Sequence, residues 1–118
     1  MDLIMVDVKI CGISSPADYQ ACRAAGARWI GMVYYPGSPR HLDLSALASL
    51  ANQIEVISST RPWRVLLTVD QTLASLQPLI TAARPDFLQL HGQETVETTK
   101  QSCLSSNAFV AERRICSM

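Results

Sequence analysis

The residues best equipped for chemistry are Lys9 and Cys11, in Val8-Lys9-Ile10-Cys11-Gly12-Ile13, with Arg40 and His91 further on. The run from Met5 to Ile10 reads as a short buried strand, and Gly12 breaks it before Ser14-Ser15-Pro16 opens a helix, so Cys11 falls at the strand's carboxyl end. In parallel α/β folds that end carries the chemistry. A thiol acts as a base or nucleophile only through its thiolate, and with an ordinary pKa of about 8.5 it needs help from neighbours such as Lys9 or loop amides. Taken singly, each residue also has a plainer reading. Cys11 is then a small buried apolar residue, Arg40 a solvated loop arginine, Lys9 an inward lysine paired to a carboxylate, and His91 a ring bonded to its own loop.

The elements that must position these residues alternate along the chain. Ser15 is a plausible N-cap with Pro16 at the first helical position, and Tyr19, Cys22 and Ala25 recur at helical spacing before Gly26 ends the helix. Trp29 to Val33 is an apolar run without polar alternation, the pattern of a strand buried on both faces of a parallel sheet. Strand, helix and strand in that order imply a right-handed crossover. The loop Tyr34-Tyr35-Pro36-Gly37-Ser38-Pro39-Arg40-His41 is long for its place and dense in residues that fix or free the backbone. Asp43 caps a second helix to about Ile57, with Leu44, Leu47, Leu50, Ala51 and Ile54 on one face.

Ser58 to Pro62 reads as a polar connection, and Val65 to Val69 as a third strand. Asp70 or Thr72 caps a third helix marked by Leu73, Leu76, Ile80 and Ala83, which Pro78 should kink or restart. Asp86 to Leu90 is a fourth strand, and His91-Gly92-Gln93-Glu94-Thr95 follows it at the same end of the sheet. A fourth helix is expected from Val96 to about Leu104, then a break at Ser105-Ser106-Asn107 and at most a strand stump at Ala108 to Ala111. The architecture repeats although the sequence does not.

Composition bounds the function. The chain has 118 residues, 48% apolar and 17% charged, with ten basic and ten acidic side chains, which fits one globular domain and offers no broad field for nucleic acid or an anionic membrane. Cys11, Cys22, Cys103 and Cys116 have no CxxC spacing and lie far in sequence from His41 and His91, so no zinc pattern is present and reduced thiols are expected. Asp2, Asp7 and Lys9 interrupt the amino terminus, which speaks against a signal peptide or membrane span. The expected location is the cytosol.

From about Val8 to Glu97 the sequence resembles phosphoribosylanthranilate isomerase, a (β/α)₈ TIM-barrel enzyme of tryptophan biosynthesis. The motifs are Lys9 to Ile13, then Gly26-Ala27, then Gly31-Met32-Val33-Tyr34-Tyr35-Pro36 with Ser38-Pro39-Arg40, and finally Gln89-Leu90-His91-Gly92 with Glu94. They stand in the family's order and at corresponding strand ends. The resemblance implies an Amadori rearrangement of a phosphorylated small molecule, N-(5′-phosphoribosyl)anthranilate, in which an acid opens the ribose ring and a base removes the C2′ proton. It implies no cofactor and no metal. By the same resemblance Cys11 is the base and Arg40 meets the anthranilate carboxylate, for which a guanidinium fork is suited. Lys9 and His91 would line the pocket.

A full barrel of this kind takes about 250 residues. The expectation here is therefore a half-barrel of about four βα units over 1–104, followed by a divergent tail over 105–118. The family's acid, an aspartate in the second half of the barrel, and its phosphate loops after strands seven and eight have no counterpart in the sequence. Asp43 and Asp70 read as helix caps and Asp86 as the residue opening a strand, so none replaces that acid. A four-strand sheet of this kind would leave its first and fourth strands as open edges, which predicts self-association. The alternative to an isomerase half is a non-catalytic half-barrel, either a binding module or a decaying fragment.

Overall fold

Among the described residues five parallel strands pair in simple sequence order, and helices link the first four. The chain runs β1 (Lys9–Cys11), α1 (Pro16–Ala24), β2 (Trp29–Tyr34), α2 (Leu44–Ile57), β3 (Trp63–Thr68), α3 (Leu73–Ala83), β4 (Phe87–Leu90) and β5 (Phe109–Ala111). This computed structural model describes residues 7–58, 60–95 and 97, with the strand backbone of 109–111. The expected helix from Val96 to Leu104 therefore lies, but for Glu97, outside the described residues.

Parallel register fixes which side chains share a face. Lys9 pairs with Trp29 and Cys11 with Gly31; Gly31 pairs with Val65 and Val33 with Leu67; Leu67 pairs with Gln89. Because side chains alternate along a strand, these residues form one face, and Ile30, Met32, Leu66, Leu88 and Leu90 form the other. The second set packs with Tyr19 and Cys22 of α1, Leu47, Leu50 and Ile54 of α2, and Leu76, Leu79 and Ala83 of α3 in one apolar core. Helices on a single face, over strands in unbroken order, are the (β/α)₈ arrangement; a doubly wound sheet would place helices on both faces.

Helix boundaries follow local chemistry. Ser15, Asp43 and Thr72 are the N-caps, each side chain accepting a backbone N–H from Asp18, Ala46 and Ser75 respectively, which satisfies a donor the first turn would leave orphaned. Of the two candidates for the third cap, Thr72 takes the role. Asp70 does not: it sits at φ +50°, outside the helix. The helix α3 continues through Pro78 without restarting, since Pro78 and Ala74, whose carbonyl loses its donor, both face solvent.

Strand limits differ from the sequence reading: β1 includes Cys11 and leaves Ile10 exposed, β2 runs on to Tyr34, β3 ends at Thr68 and β4 opens at Phe87. The strand β3 starts at Trp63, because Trp63 and Arg64 pair with Trp29 and Ile30, and Arg64 is accommodated by an ion pair with Glu55 at 3.1 Å. Asp86 sets the start of β4, accepting from the Arg64 N–H at 2.8 Å. The stump expected at Ala108 to Ala111 forms β5, in register with Phe87 to Gln89 of β4. The open edges of the described sheet are therefore β1 and β5, not β1 and β4.

Asp18 anchors the turn between β1 and α1. Its carboxylate accepts from Ser14, N–H at 2.9 Å and Oγ at 3.3 Å. That backbone N–H chiefly holds its pKa below the usual carboxylate value, against a smaller upward push from burial, with the Ser14 and Ser15 hydroxyls and Arg40 assisting. A depressed carboxylate stabilises the fold above its unfolded pKa of about 3.9 and loses that contribution as pH falls through the lower folded value. In an NMR titration the Ser14 amide should report Asp18 protonation with a midpoint below that of a model peptide. A midpoint at or above the peptide's would show that the contact does not form in solution.

Candidate functional site

The carboxyl ends of four strands and one loop enclose a cavity of about 520 Å³, whose lining includes Cys11, Val33, Arg40, Leu67, Val69 and His91. Cys11 ends β1 with its thiol exposed. Gly31, its register partner, makes room for it: a Cβ there would lie 3.1 Å from Cys11 Sγ, 3.2 Å from Cys11 Cα and 3.3 Å from Lys9 Cε. A glycine inside a strand often marks such close approach. The Lys9 and Cys11 side chains thus converge on one point over Gly31.

Arg40 reaches the same cavity from the loop after β2. Its guanidinium donates to the Gly12 carbonyl at 3.0 Å, and its Cγ would be 3.0 Å from a Cβ on Gly12, which has φ +87°. Both the left-handed backbone and the packed arginine stem call for glycine there. His41 shapes the loop. Its Nδ1 accepts from the Tyr35 N–H at 2.9 Å, its ring meets Tyr34 edge-on with centroids 4.9 Å apart, and Leu42 N–H returns to the Val33 carbonyl at 2.8 Å.

His91 enters from the end of β4, where its N–H donates to the Thr68 carbonyl at 2.9 Å. Its Nδ1 is buried without a hydrogen-bond partner among the described residues, which does not match the plainer reading of a ring bonded to its own loop. Lys9 is not among the residues lining the cavity; it lies one layer deeper, and its Nζ donates to Gln89 Oε1. The partner of this inward lysine is a carboxamide and not the carboxylate expected.

The structure thus brings Cys11, Arg40 and His91 to one cavity and sets Lys9 beneath it. Sequence reasoning did not single out Gly31, His41 or Gln89. The glycine interrupting an apolar strand was the one available signal, because the partners of His41 and Gln89 are set by loop and barrel geometry. Cys22 belongs to the core, where burial first and Asp18 second push its thiol pKa up. Among the described residues no group of three or more His, Cys, Asp or Glu side chains could hold a metal, and no helix is long and apolar enough to cross a membrane.

Comparison with known proteins places this geometry. No family model matches the chain. Individual relatives do: it is 47% identical over 94 residues to N-(5′-phosphoribosyl)anthranilate isomerase of Nitrobacter hamburgensis, covering 80% of this chain and 40% of that protein. The Rhodopseudomonas palustris BisB18 isomerase is 48% identical over 88 residues, with 75% and 38% covered. Among solved structures, the Thermus thermophilus enzyme superposes with a TM-score of 0.79 at 30% identity, over 91% of this chain and 50% of that one. The Thermotoga maritima enzyme gives 0.80 at 26%, over 92% and 50%. The chain spans about two fifths of the length of the curated relatives it matches. With the opening motif on β1 and the rest in order along β2 to β4, the chain is similar to the amino-terminal half of phosphoribosylanthranilate isomerases, in sequence and in fold.

Proposed function

We propose that the cavity is one wall of an aldose–ketose isomerase site that acts on N-(5′-phosphoribosyl)anthranilate. The observation that carries this reading is the convergence of Cys11, Arg40 and His91, from three separate strand ends, on one cavity. In the rearrangement a proton delivered to the ribose ring oxygen opens the ring to an iminium at C1′. Removal of the C2′ proton then gives an enaminol, which takes up a proton at C1′ as its C2′ hydroxyl releases one, and becomes the ketose. Only protons move, so acids and bases suffice. Cys11, exposed at the end of β1, is the base for C2′. Arg40, its stem fixed on Gly12, binds the anthranilate carboxylate through its guanidinium. His91 supplies a polar group from the opposite side, and Lys9 supports the Cys11 wall from below. A related isomerase structure is described in complex with a reduced form of the product, 1-(o-carboxyphenylamino)-1-deoxyribulose 5-phosphate.

In this reading the ring-opening acid and the phosphate grip come from barrel strands beyond the four units seen here. The test is the loss of phosphoribosylanthranilate fluorescence with the 118-residue chain alone and after mixing with a fragment carrying the remaining strands. Turnover only in the mixture is expected. Turnover by the chain alone, lost in Cys11→Ala, would overturn the division of labour.

The chain also self-associates, in the same reading, through its open sheet edges. Val8 and Ile10 at the β1 edge are 44% and 40% exposed, and an unpaired strand edge flanked by apolar side chains recruits another strand. One solved structure, of monomers generated from the Thermotoga maritima isomerase, describes the parent enzyme as dimeric. Sedimentation at tens of micromolar, an order-of-magnitude working range for such association, should show species larger than one chain. A single monomeric boundary would refute it.

A further inference from the structure

We infer that Asp70 and Glu94 form a two-way carboxylate clasp that positions Val69 and His91 in the cavity wall. The strands β3 and β4 leave the sheet side by side, with Thr68 paired to Leu90 and the His91 N–H on the Thr68 carbonyl. Beyond that point no ladder holds them together. Each segment then supplies a carboxylate to the other's backbone: Asp70 Oδ1 accepts from the Gln93 N–H at 2.6 Å, and Glu94 Oε2 accepts from the Asp70 N–H at 2.8 Å. The other Glu94 oxygen accepts from the Gly92 N–H at 2.8 Å.

The backbone is built around this exchange. A Cβ on Gly92 would stand 2.5 Å from Asp70 Oδ1 and 2.9 Å from Asp70 N, so only glycine lets the two segments approach. Asp70 holds φ +50°, a left-handed conformation that aspartate tolerates better than most residues. The pattern is that of a capping box, spread over two loops. It gives Gly92 and Glu94 of the His91-Gly92-Gln93-Glu94 motif a positioning role: they fix the residues on either side of the β3–β4 exit, both of which line the cavity.

The consequence for catalysis rests on the isomerase reading, but the clasp can be tested without it. In the 118-residue chain, NMR hydrogen exchange should show the Asp70, Gly92 and Gln93 amides protected relative to Gln71. Glu94→Gln leaves one acceptor where two are needed, and should raise exchange at Asp70 or Gly92 by about 10- to 100-fold, the range for a lost bond to a charged group. It should also shift the His91 ring signals while those of His41 stay put. Asp70→Asn keeps an acceptor and should behave nearly as the parent, whereas Asp70→Gly keeps the left-handed backbone without the acceptor and should release Gln93. The Leu66 amide reports that each variant is folded. Unprotected amides in the parent chain, or unchanged exchange and His91 signals in Glu94→Gln, would overturn the clasp. No readout here involves turnover, so clasp and isomerase can fail separately.

Discussion

Replacing Cys11 by alanine, in a barrel completed by the remaining strands, should lower kcat by about 10²- to 10⁴-fold, the usual worth of a positioned base. The expectation follows from the exposed thiol at the end of β1, on the cavity floor shared with Arg40 and His91. In the proposed reading Cys11 acts only as the C2′ proton leaves, so KM should move little. Arg40→Ala should show the reverse split, with KM raised by about 10- to 100-fold, as for a lost charge-assisted bond, and a smaller change in kcat. The 118-residue chain alone should give no measurable turnover if, as proposed, the acid and the phosphate contacts are supplied by other barrel strands, since each is worth orders of magnitude. Steady-state kinetics on the completed enzyme check the split. A Cys11→Ala enzyme within a few-fold of the parent would remove the thiol from the mechanism.

The second large effect concerns the core. Leu66 lies at the centre of β3, fully buried between the sheet and the helices. Truncation to alanine removes apolar contacts and leaves a cavity that the surrounding strands cannot close, at a cost of about 2–5 kcal/mol. Urea unfolding should show a lower midpoint with little change in slope. The control is Val56, on the same sheet-covering helix layer but 88% exposed, where alanine should change stability by less than about 0.5 kcal/mol. Equal effects at the two positions would mean that the helix-side core is not packed as described.

How much of this was legible in the sequence depended on whether the signal was local. Trp29 to Val33 reads as a strand because no polar residue interrupts it, and the structure extends that strand to Tyr34. Trp63 and Arg64 did not, because a charged residue hides a strand unless its partners, Glu55 and the Asp86 segment, are known. Caps were legible at Ser15, from Pro16 at the first helical position, and at Asp43, from the apolar helix face that follows it. Asp70 misled: its side chain serves Gln93, 23 residues on, instead of the helix that follows it. Lys9 and Gln89 meet across 80 residues, and only the folded sheet, which turns their side chains to one face, brings them together. Cys11, Arg40 and His91 each had a plainer reading in isolation, and the resemblance grouped them because a barrel places every strand end at one rim.

The central claim is that the rim of this half-barrel already presents Cys11 as its working thiol, and the most direct measurement is peptide-mapped alkylation of the folded chain with an electrophilic thiol probe. Reactivity follows thiolate fraction and access. Cys11 is exposed, while Cys22 is buried in the core with its pKa raised. Cys11 should therefore be labelled first and Cys22 only on unfolding. Equal or inverted labelling of the two would show that the base site is not assembled.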